Sequence, residues 1–341
     1  MRRRPGERNG AGAELRQLSL ADSMDAADMS TPGRNCPLRY RHGPGAIAGA
    51  PERPAETLYV IGGLYGNPQA LAAVEAMARA EPGPVTLCFN GDFNWFNVDD
   101  AGFCAINERV LRHGAILGNV EAELGADSAA AGCGCAYPDS VDQGVVERSN
   151  QIHARLKRTA ARHPDLLARL GELPMVARYR VGEARVGVVH GDADSLAGWR
   201  FDVGALDDPR EHAWRAQAFA GADVDVFAST HTCRPVMRSY DFGGIKVVAN
   251  NGAAGMPNAR STRFGILTRI GVAPPPHASL YGHTVCGAHL DALAIRYDHA
   301  AWQQCFLDNW PEGSPAWLSY FERIAYGPEF RPEGTPDLTA A

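Results

Sequence analysis

From residue 57 onward, short runs of apolar residues alternate along the chain with stretches of helical pattern. Within a run, polar residues rarely alternate with apolar ones, which is typical of strands buried on both faces. Between the first two runs, Asn67 and Pro68 precede an amphipathic stretch, the pattern of a capped helix with proline at its first position. The apolar runs lie at 58–61, 85–89, 115–117, 186–189, 224–227, 246–248 and 264–267. Together they predict an α/β domain.

The pattern also predicts how the chain is organised. Residues 1–50 are rich in Gly, Ala, Arg and Pro and lack apolar periodicity, so we expect a flexible N-terminal leader. Residues 51–272 form the predicted domain, in which longer helices cover 141–170, broken at Pro164, and 212–220. After three consecutive prolines, a strand at 292–296 and a helix from about residue 300 predict a C-terminal extension, residues 273–341, packed on the same domain.

Composition narrows the class of protein. With 341 residues and 45% hydrophobic content, the chain can bury a large core. A formal net charge of -6 argues against nucleic acid as a partner, since nucleic-acid binders usually carry a basic patch. The sequence shows neither a secretory signal nor a long apolar stretch, so we expect no membrane association. The eight cysteines are scattered and do not resemble the framework of a small secreted domain, which favours the cytoplasm.

Five of the predicted strands end in turns that carry oxygen or nitrogen donors. In open α/β sheets the loops beyond the carboxyl ends of the strands converge, so side chains from separate turns meet there. The turns are Gly-Gly-Leu-Tyr-Gly-Asn at 62–67, Asn-Gly-Asp at 90–92, Gly-Asn-Val-Glu at 118–121, His-Gly-Asp at 190–192 and Ser-Thr-His-Thr-Cys-Arg-Pro at 229–235. This order of turns predicts a polar site at one edge of the sheets.

In this order the turns resemble the motifs D-x-H-G-N, G-D, G-N-H-[DE], H-G and G-H-T-H of the calcineurin-like metallophosphoesterase superfamily. The resemblance spans residues 58–267, and the stretch rich in Asn and Gly at 247–257 is similar to one found in bacterial members. It implies a four-layer αββα sandwich of two mixed β-sheets flanked by helices. It also implies a site for two metal ions, typically about 3.5–4 Å apart.

The resemblance implies that one of the two metal sites has been lost. Gly63 and Tyr65 stand where the family has the Asp and His of D-x-H, and Cys233 stands where it has the last His. The ligands of the second metal are retained as Asp92, Asn119, His190 and His231. We therefore expect one divalent transition metal ion, Mn²⁺, Fe²⁺ or Zn²⁺. In a shifted alignment, His231 would occupy the last histidine position, and the second metal would lose a ligand too.

The implied activity is that of a metallophosphoesterase, which hydrolyses a phosphoric ester or anhydride of a small phosphorylated substrate through a metal-activated water. The general-acid histidine of the family is replaced by Val120, which cannot donate a proton, so no catalytic residue is assigned. Nearby in sequence, possible donors are His113, Glu121, Asp192 and Arg234. Tyr65, Cys233 and Arg234 are further candidates for metal or substrate contacts.

Two alternatives remain open from the sequence. The first is a catalytically degenerate family member that acts as a phosphate-ligand or protein-binding module, because the D-x-H motif and the general acid are missing. The second is a thiol-dependent metal site built from Cys133, Cys135 and Cys233. A C-x-C motif without a second pair is a poor zinc signature, so we favour ordinary loop cysteines at 133 and 135.

Overall fold

The structure is a computed structural model that describes residues 32–126 and 131–329. The strands are β1 Glu52–Ala55, β2 Thr57–Ile61, β3 Val85–Asn90, β4 Gly114–Ile116, β5 Val176–Val181, β6 Ala184–Val189, β7 Val226–Ser229, β8 Val236–Asp241, β9 Ile245–Asn250, β10 Phe264–Gly271, β11 Ser279–Val285 and β12 Ala288–Arg296. The α-helices are α1 Pro44–Ala48, α2 Pro68–Ala80, α3 Asp100–Val110, α4 Asn119–Leu124, α5 Gln143–Ala160, α6 Pro164–Gly171, α7 Val203–Asp207, α8 His212–Ala222, α9 His299–Asn309 and α10 Pro315–Tyr326.

The strands form two mixed sheets of six strands each. The first has the order β1-β5-β6-β7-β9-β8, with β6, β7 and β9 parallel, and the second has the order β11-β12-β10-β2-β3-β4, with β2, β3 and β4 parallel. One apolar core lies between the sheets, and separate cores lie under the helices on the two outer faces. The predicted four-layer αββα sandwich is confirmed.

The alternation of side chains along single strands explains the two kinds of core. In β2, Leu58 and Val60 belong to the core between the sheets, whereas Tyr59 and Ile61 belong to the core under the helices. Successive side chains of a strand point to opposite faces, so a strand buried on both faces must be apolar throughout. This is why the central strands are recognisable as continuous apolar runs.

Each predicted apolar run overlaps a strand of the structure, and the predicted helices are present. Helix α2 begins at Pro68, and the Asn67 side chain caps it by accepting hydrogen bonds from the backbone of Gln69 and Ala70 at 3.0 and 2.9 Å. The helical region at 141–170 forms α5 and α6, and α6 starts at Pro164. The strands β1, β5, β8 and β11 were not predicted, because they are edge strands or have mixed polar and apolar sequences.

The two predicted terminal regions lie partly outside the described residues, which exclude 1–31 and 330–341. Of the predicted leader, residues 32–50 differ from the prediction, because they contain α1 and bury Tyr40 and Ile47. Isolated apolar side chains carry no periodic signal, yet they dock against the packed sheets. Residues 273–329 add β11 and β12 to the second sheet, together with α9 and α10. Of the described helices, none combines the length and apolar character needed to cross a bilayer.

Candidate metal centre

The four predicted ligands come from turns at one end of the parallel strands. Asp92 follows β3, Asn119 opens α4 after β4, His190 follows β6 directly, and His231 follows β7. Strands β3 and β4 belong to one sheet, and β6 and β7 belong to the other. The site therefore lies where the carboxyl ends of both sheets meet, and all four residues are buried.

The structure brings the four side chains together around His190. Its Nε2 lies 3.1 Å from Asn119 Oδ1, 3.2 Å from His231 Nδ1 and 3.4 Å from Asp92 Oδ1. Ligand atoms of Asp92, His190 and His231 all lie within 4.8 Å of one another. The four turns are thus close enough to share a single ion.

Backbone carbonyls fix the orientation of three of these side chains. His190 Nδ1 donates to the carbonyl of Asn90 at 2.8 Å, and His231 Nε2 donates to the carbonyl of Cys135 at 3.0 Å. Asn119 Nδ2 donates to the carbonyl of Cys133 at 2.9 Å. Because a carbonyl can only accept, each of these groups turns its acceptor atom inward, and metal-ligating histidines are typically held by a carbonyl in this way.

The convergence of acceptors requires a positive charge at the centre. Burial disfavours charge on His190, but the Asp92 carboxylate, the Asn90 carbonyl and Glu121 together raise the pKa of His190 above its usual value. Burial and the neighbouring His190 together lower the pKa of His231 to about 3. When no metal ion is bound, a proton on His190 Nε2 therefore supplies the positive charge that the acceptor atoms require. One carboxylate, one amide oxygen and two imidazoles also suit a divalent transition metal ion.

Glycines let the two turns of the second sheet approach closely. Gly91 has φ +73°, and a Cβ there would lie 2.4 Å from the backbone nitrogen of Gly118 and 2.7 Å from His190 Nδ1. A Cβ on Gly118 would lie 2.2 Å from Asp92 Oδ1. Asp92 itself has φ +54°, a conformation that non-glycine residues rarely adopt. Glycine is therefore required at positions 91 and 118 by the lack of space around the Asp92 carboxylate.

Glu121 holds the Asp92 turn in place. Its carboxylate accepts hydrogen bonds from the backbone of Asp92 at 2.8 Å, of Phe93 at 3.1 Å and of Gly118 at 3.3 Å. Burial and the nearby Asp92 raise the pKa of Glu121 to about 7. Glu121 is thus a positioning residue that joins the turns after β3 and β4.

The solved structures that resemble this chain share its architecture. No protein-family model matches the sequence, and no curated protein matches it. A metallophosphoesterase from Sphaerobacter thermophilus matches 80% of this chain and 100% of its own, with 16% sequence identity and a TM-score of 0.50. A hypothetical protein from Pyrococcus horikoshii OT3 matches 80% of this chain and 99% of its own, with 13% identity and a TM-score of 0.53. The chain has the metallophosphoesterase fold.

On this metallophosphoesterase fold, a phenol and a thiol occupy the side where the resemblance places the lost first metal. Tyr65 Oη lies 2.6 Å from Cys233 Sγ, and a Cβ on Gly63 would meet the Tyr65 ring at 2.9 Å. Burial raises the pKa of both Tyr65 and Cys233, so both groups stay protonated at neutral pH. The phenol of Tyr65 fills the space that a side chain at position 63 would occupy. None of Gly63, Tyr65 and Cys233 therefore offers a metal ion an anionic ligand.

A cavity of about 210 Å³ opens above the centre, and much of its wall is aromatic. Asp92, Asn119 and His231 reach its wall beside Tyr65 and Cys233. The remaining lining residues are Trp95, Val120, Cys135, Tyr137, Val145, Trp199, Thr232, Ser319, Tyr320 and Arg323. Ser319, Tyr320 and Arg323 come from α10, which lies more than two hundred residues after the turn at 90–92.

Sequence reasoning missed the contribution of α10 and misplaced Arg234. Ser319, Tyr320 and Arg323 have the spacing of one helix face, but no local signal ties that face to a distant site. Arg234 pairs instead with Asp202 at 3.5 Å and is absent from the cavity wall that the structure describes. The suggested proton donors His113, Glu121 and Asp192 are absent from that wall as well.

The structure joins Cys133 and Cys135 in a disulfide, where the sequence favoured separate loop cysteines. Their carbonyls orient Asn119 and His231, so the functional role of this loop lies in its backbone. In the disulfide neither sulfur is a thiolate, which removes two of the three ligands of the alternative thiol-dependent metal site.

Proposed function

We propose that this chain is a metal-dependent phosphoesterase that hydrolyses an ester or anhydride of a small phosphorylated substrate. The observation that carries the proposal is the convergence of four acceptor atoms, from Asp92, Asn119, His190 and His231, at the floor of a cavity. The ligand set favours one divalent transition metal ion, Mn²⁺, Fe²⁺ or Zn²⁺.

Some residues of the chain would bind the ion, and others orient those ligands and form the cavity wall. A divalent ion bound there would activate a water molecule and neutralise charge on the phosphoryl oxygens. The lowered pKa of His231 keeps its Nδ1 free of a proton, as a ligand must be. The Trp199 and His231 rings pack nearly perpendicular to each other at 5.2 Å between centroids, and this contact and the Cys135 carbonyl fix the orientation of the His231 ring.

The surroundings of Val120 favour a good leaving group. The Val120 backbone donates to Asp92 Oδ1 at 3.2 Å, and its carbonyl accepts from His153 Nε2 at 3.0 Å. Burial lowers the pKa of His153, so this ring is neutral and its Nε2 proton already serves a backbone carbonyl. Neither residue can protonate a departing oxygen. An aryl ester or a phosphoanhydride, whose leaving group needs little protonation, is therefore the substrate class that we propose.

The second candidate function is a binding module that retains the fold without turnover. Its specific support is the neutral pair of Tyr65 and Cys233 in place of the first metal's ligands. In that case the cavity binds a phosphate ligand, or the surface around it binds a protein, and nothing is hydrolysed. We also propose a cytoplasmic location for the protein.

Metal analysis combined with a hydrolysis assay tests the proposed function. The purified protein is analysed for Mn, Fe and Zn and assayed with p-nitrophenyl phosphate and bis(p-nitrophenyl) phosphate. We expect bound metal and turnover, both lost in His190→Ala and both kept in His113→Ala, whose histidine is exposed and outside the cavity wall. A wild-type protein that binds phosphate but holds no transition metal and turns over neither ester would favour the binding module.

A further inference from the structure

The cavity above the metal centre carries one fixed positive charge. Among the residues that line it in the described part of the chain, Arg323 is the only arginine or lysine. A guanidinium stays charged at every physiological pH, so the charge of Arg323 does not depend on its surroundings.

Two backbone carbonyls hold the Arg323 guanidinium in a defined position. Nε donates to the carbonyl of Pro257 at 3.1 Å, and Nη2 donates to the carbonyl of Cys233 at 3.2 Å. Both acceptors are neutral, so the charge is not cancelled by an ion pair with a described carboxylate. The Arg323 side chain also hydrogen-bonds the Cys233 thiol, and because a guanidinium has five N–H donors, donors of the planar fork are left for a ligand in the cavity.

Arg323 lies on the side of the cavity formed by Tyr65 and Cys233, where the resemblance implies a lost first metal site. It contacts the backbone of Cys233, whose side chain pairs with Tyr65 at 2.6 Å. The positions that have lost metal ligands are thus next to a cation that belongs to the chain itself.

We propose that Arg323 binds a phosphoryl oxygen of the ligand and supplies the positive charge that a first metal ion would otherwise provide. The inference rests on the proposed function for the identity of the ligand, a phosphoryl group. Guanidinium groups bind phosphate oxygens through paired, charge-assisted hydrogen bonds, and a fixed one needs no further ordering when the ligand arrives. The site then combines one metal ion with one arginine.

Binding of inorganic phosphate, measured by titration calorimetry, tests this inference without any need for turnover. The proteins compared are the wild type, Arg323→Met, Arg323→Gln, Arg323→Lys and the control Arg234→Met, each loaded with Mn²⁺ and each stripped with a chelator. Arg234 is the matched control because it lies one residue after Cys233 but pairs with Asp202 outside the cavity wall. Circular dichroism and melting temperatures identify the variants that keep the fold.

We expect Arg323→Met and Arg323→Gln to weaken phosphate binding at least about tenfold with and without Mn²⁺, because a charge-assisted contact is lost. Arg323→Lys should retain part of the affinity, and Arg234→Met should match the wild type. Phosphate affinity within twofold of the wild type in a folded Arg323→Gln or Arg323→Met protein would overturn the inference, as would a wild type that binds no phosphate in either form.

The same experiment separates this inference from the proposed function. If phosphate binding depends on Arg323 but no ester is hydrolysed, the arginine site stands and the phosphoesterase proposal fails. If Mn²⁺-dependent hydrolysis is present but replacing Arg323 leaves phosphate affinity unchanged, the phosphoesterase proposal stands and the arginine site fails.

Discussion

Loading the centre with Mn²⁺ at pH 5.5 is expected to release one proton, and that proton comes from His190. The His190 Nε2 atom faces acceptors on Asn119, His231 and Asp92 at 3.1 to 3.4 Å, and the Asp92 carboxylate raises its pKa. His231 is already neutral, with a pKa of about 3. A metal ion competes with a single proton, so below the pKa of His190 the metal affinity should fall tenfold per pH unit, or about 1.36 kcal/mol.

Titration calorimetry in buffers with different ionisation enthalpies measures the number of protons released. The wild type should release close to one proton per Mn²⁺ at pH 5.5 and close to none well above the pKa of His190. His190→Ala, which is expected to lose its bound metal, should show no proton release on addition of Mn²⁺ at pH 5.5, whereas His113→Ala should behave as the wild type. Release of no proton by the wild type at pH 5.5, or an unchanged number in His190→Ala, would refute this description of the centre.

Two further predictions concern the turns. Gly91→Ala should lower Mn²⁺ affinity at least about tenfold and lower the melting temperature, because its Cβ would lie 2.4 Å from backbone and 2.7 Å from an imidazole of the centre. The control Gly243→Ala, also at positive φ but with nothing within 4 Å of its Cβ, should cost about 1 kcal/mol in urea unfolding and leave Mn²⁺ affinity unchanged. Gly63→Asp alone should destabilise the protein, since its side chain meets the Tyr65 ring. The triple variant with Gly63→Asp, Tyr65→His and Cys233→His should bind two metal ions by elemental analysis, and a stoichiometry of one would contradict the assignment of the lost site.

The sequence was sufficient to predict the sandwich and the convergence of the four candidate ligands at one edge, for a physical reason. Strands buried on both faces are continuous apolar runs, and the carboxyl ends of parallel strands meet at one edge. Residues directly after such runs, such as Asp92 after β3 and His190 after β6, must therefore lie at that edge. Their proximity follows from topology and needs no knowledge of side-chain packing.

The remaining parts of the site depend on packing that leaves no local pattern. The carbonyls of Cys133 and Cys135 orient two ligands, and a carbonyl carries no sequence signal. Arg323 reaches the cavity because α10 packs on α5, a contact between segments far apart in the chain. Arg234 is a candidate from its place in the turn at 229–235, but the structure pairs it with Asp202 and leaves it outside the cavity wall that the structure describes.

The predicted leader fails over residues 32–50 for a related reason. Tyr40 and Ile47 are single apolar residues in a segment rich in Gly and Arg, so periodicity did not reveal them. Ile47 nevertheless packs into the apolar core on the outer face of the first sheet. A preformed sheet can order a short segment through one or two side chains, which composition alone does not predict.

Anomalous diffraction from crystals grown with Mn²⁺ tests the central claim most directly. We predict a single peak within bonding distance of Asp92, Asn119, His190 and His231, and none beside Tyr65 and Cys233. A map with no peak at the four ligands, or with a second peak of similar height between Tyr65 and Cys233, would contradict a centre that holds one ion.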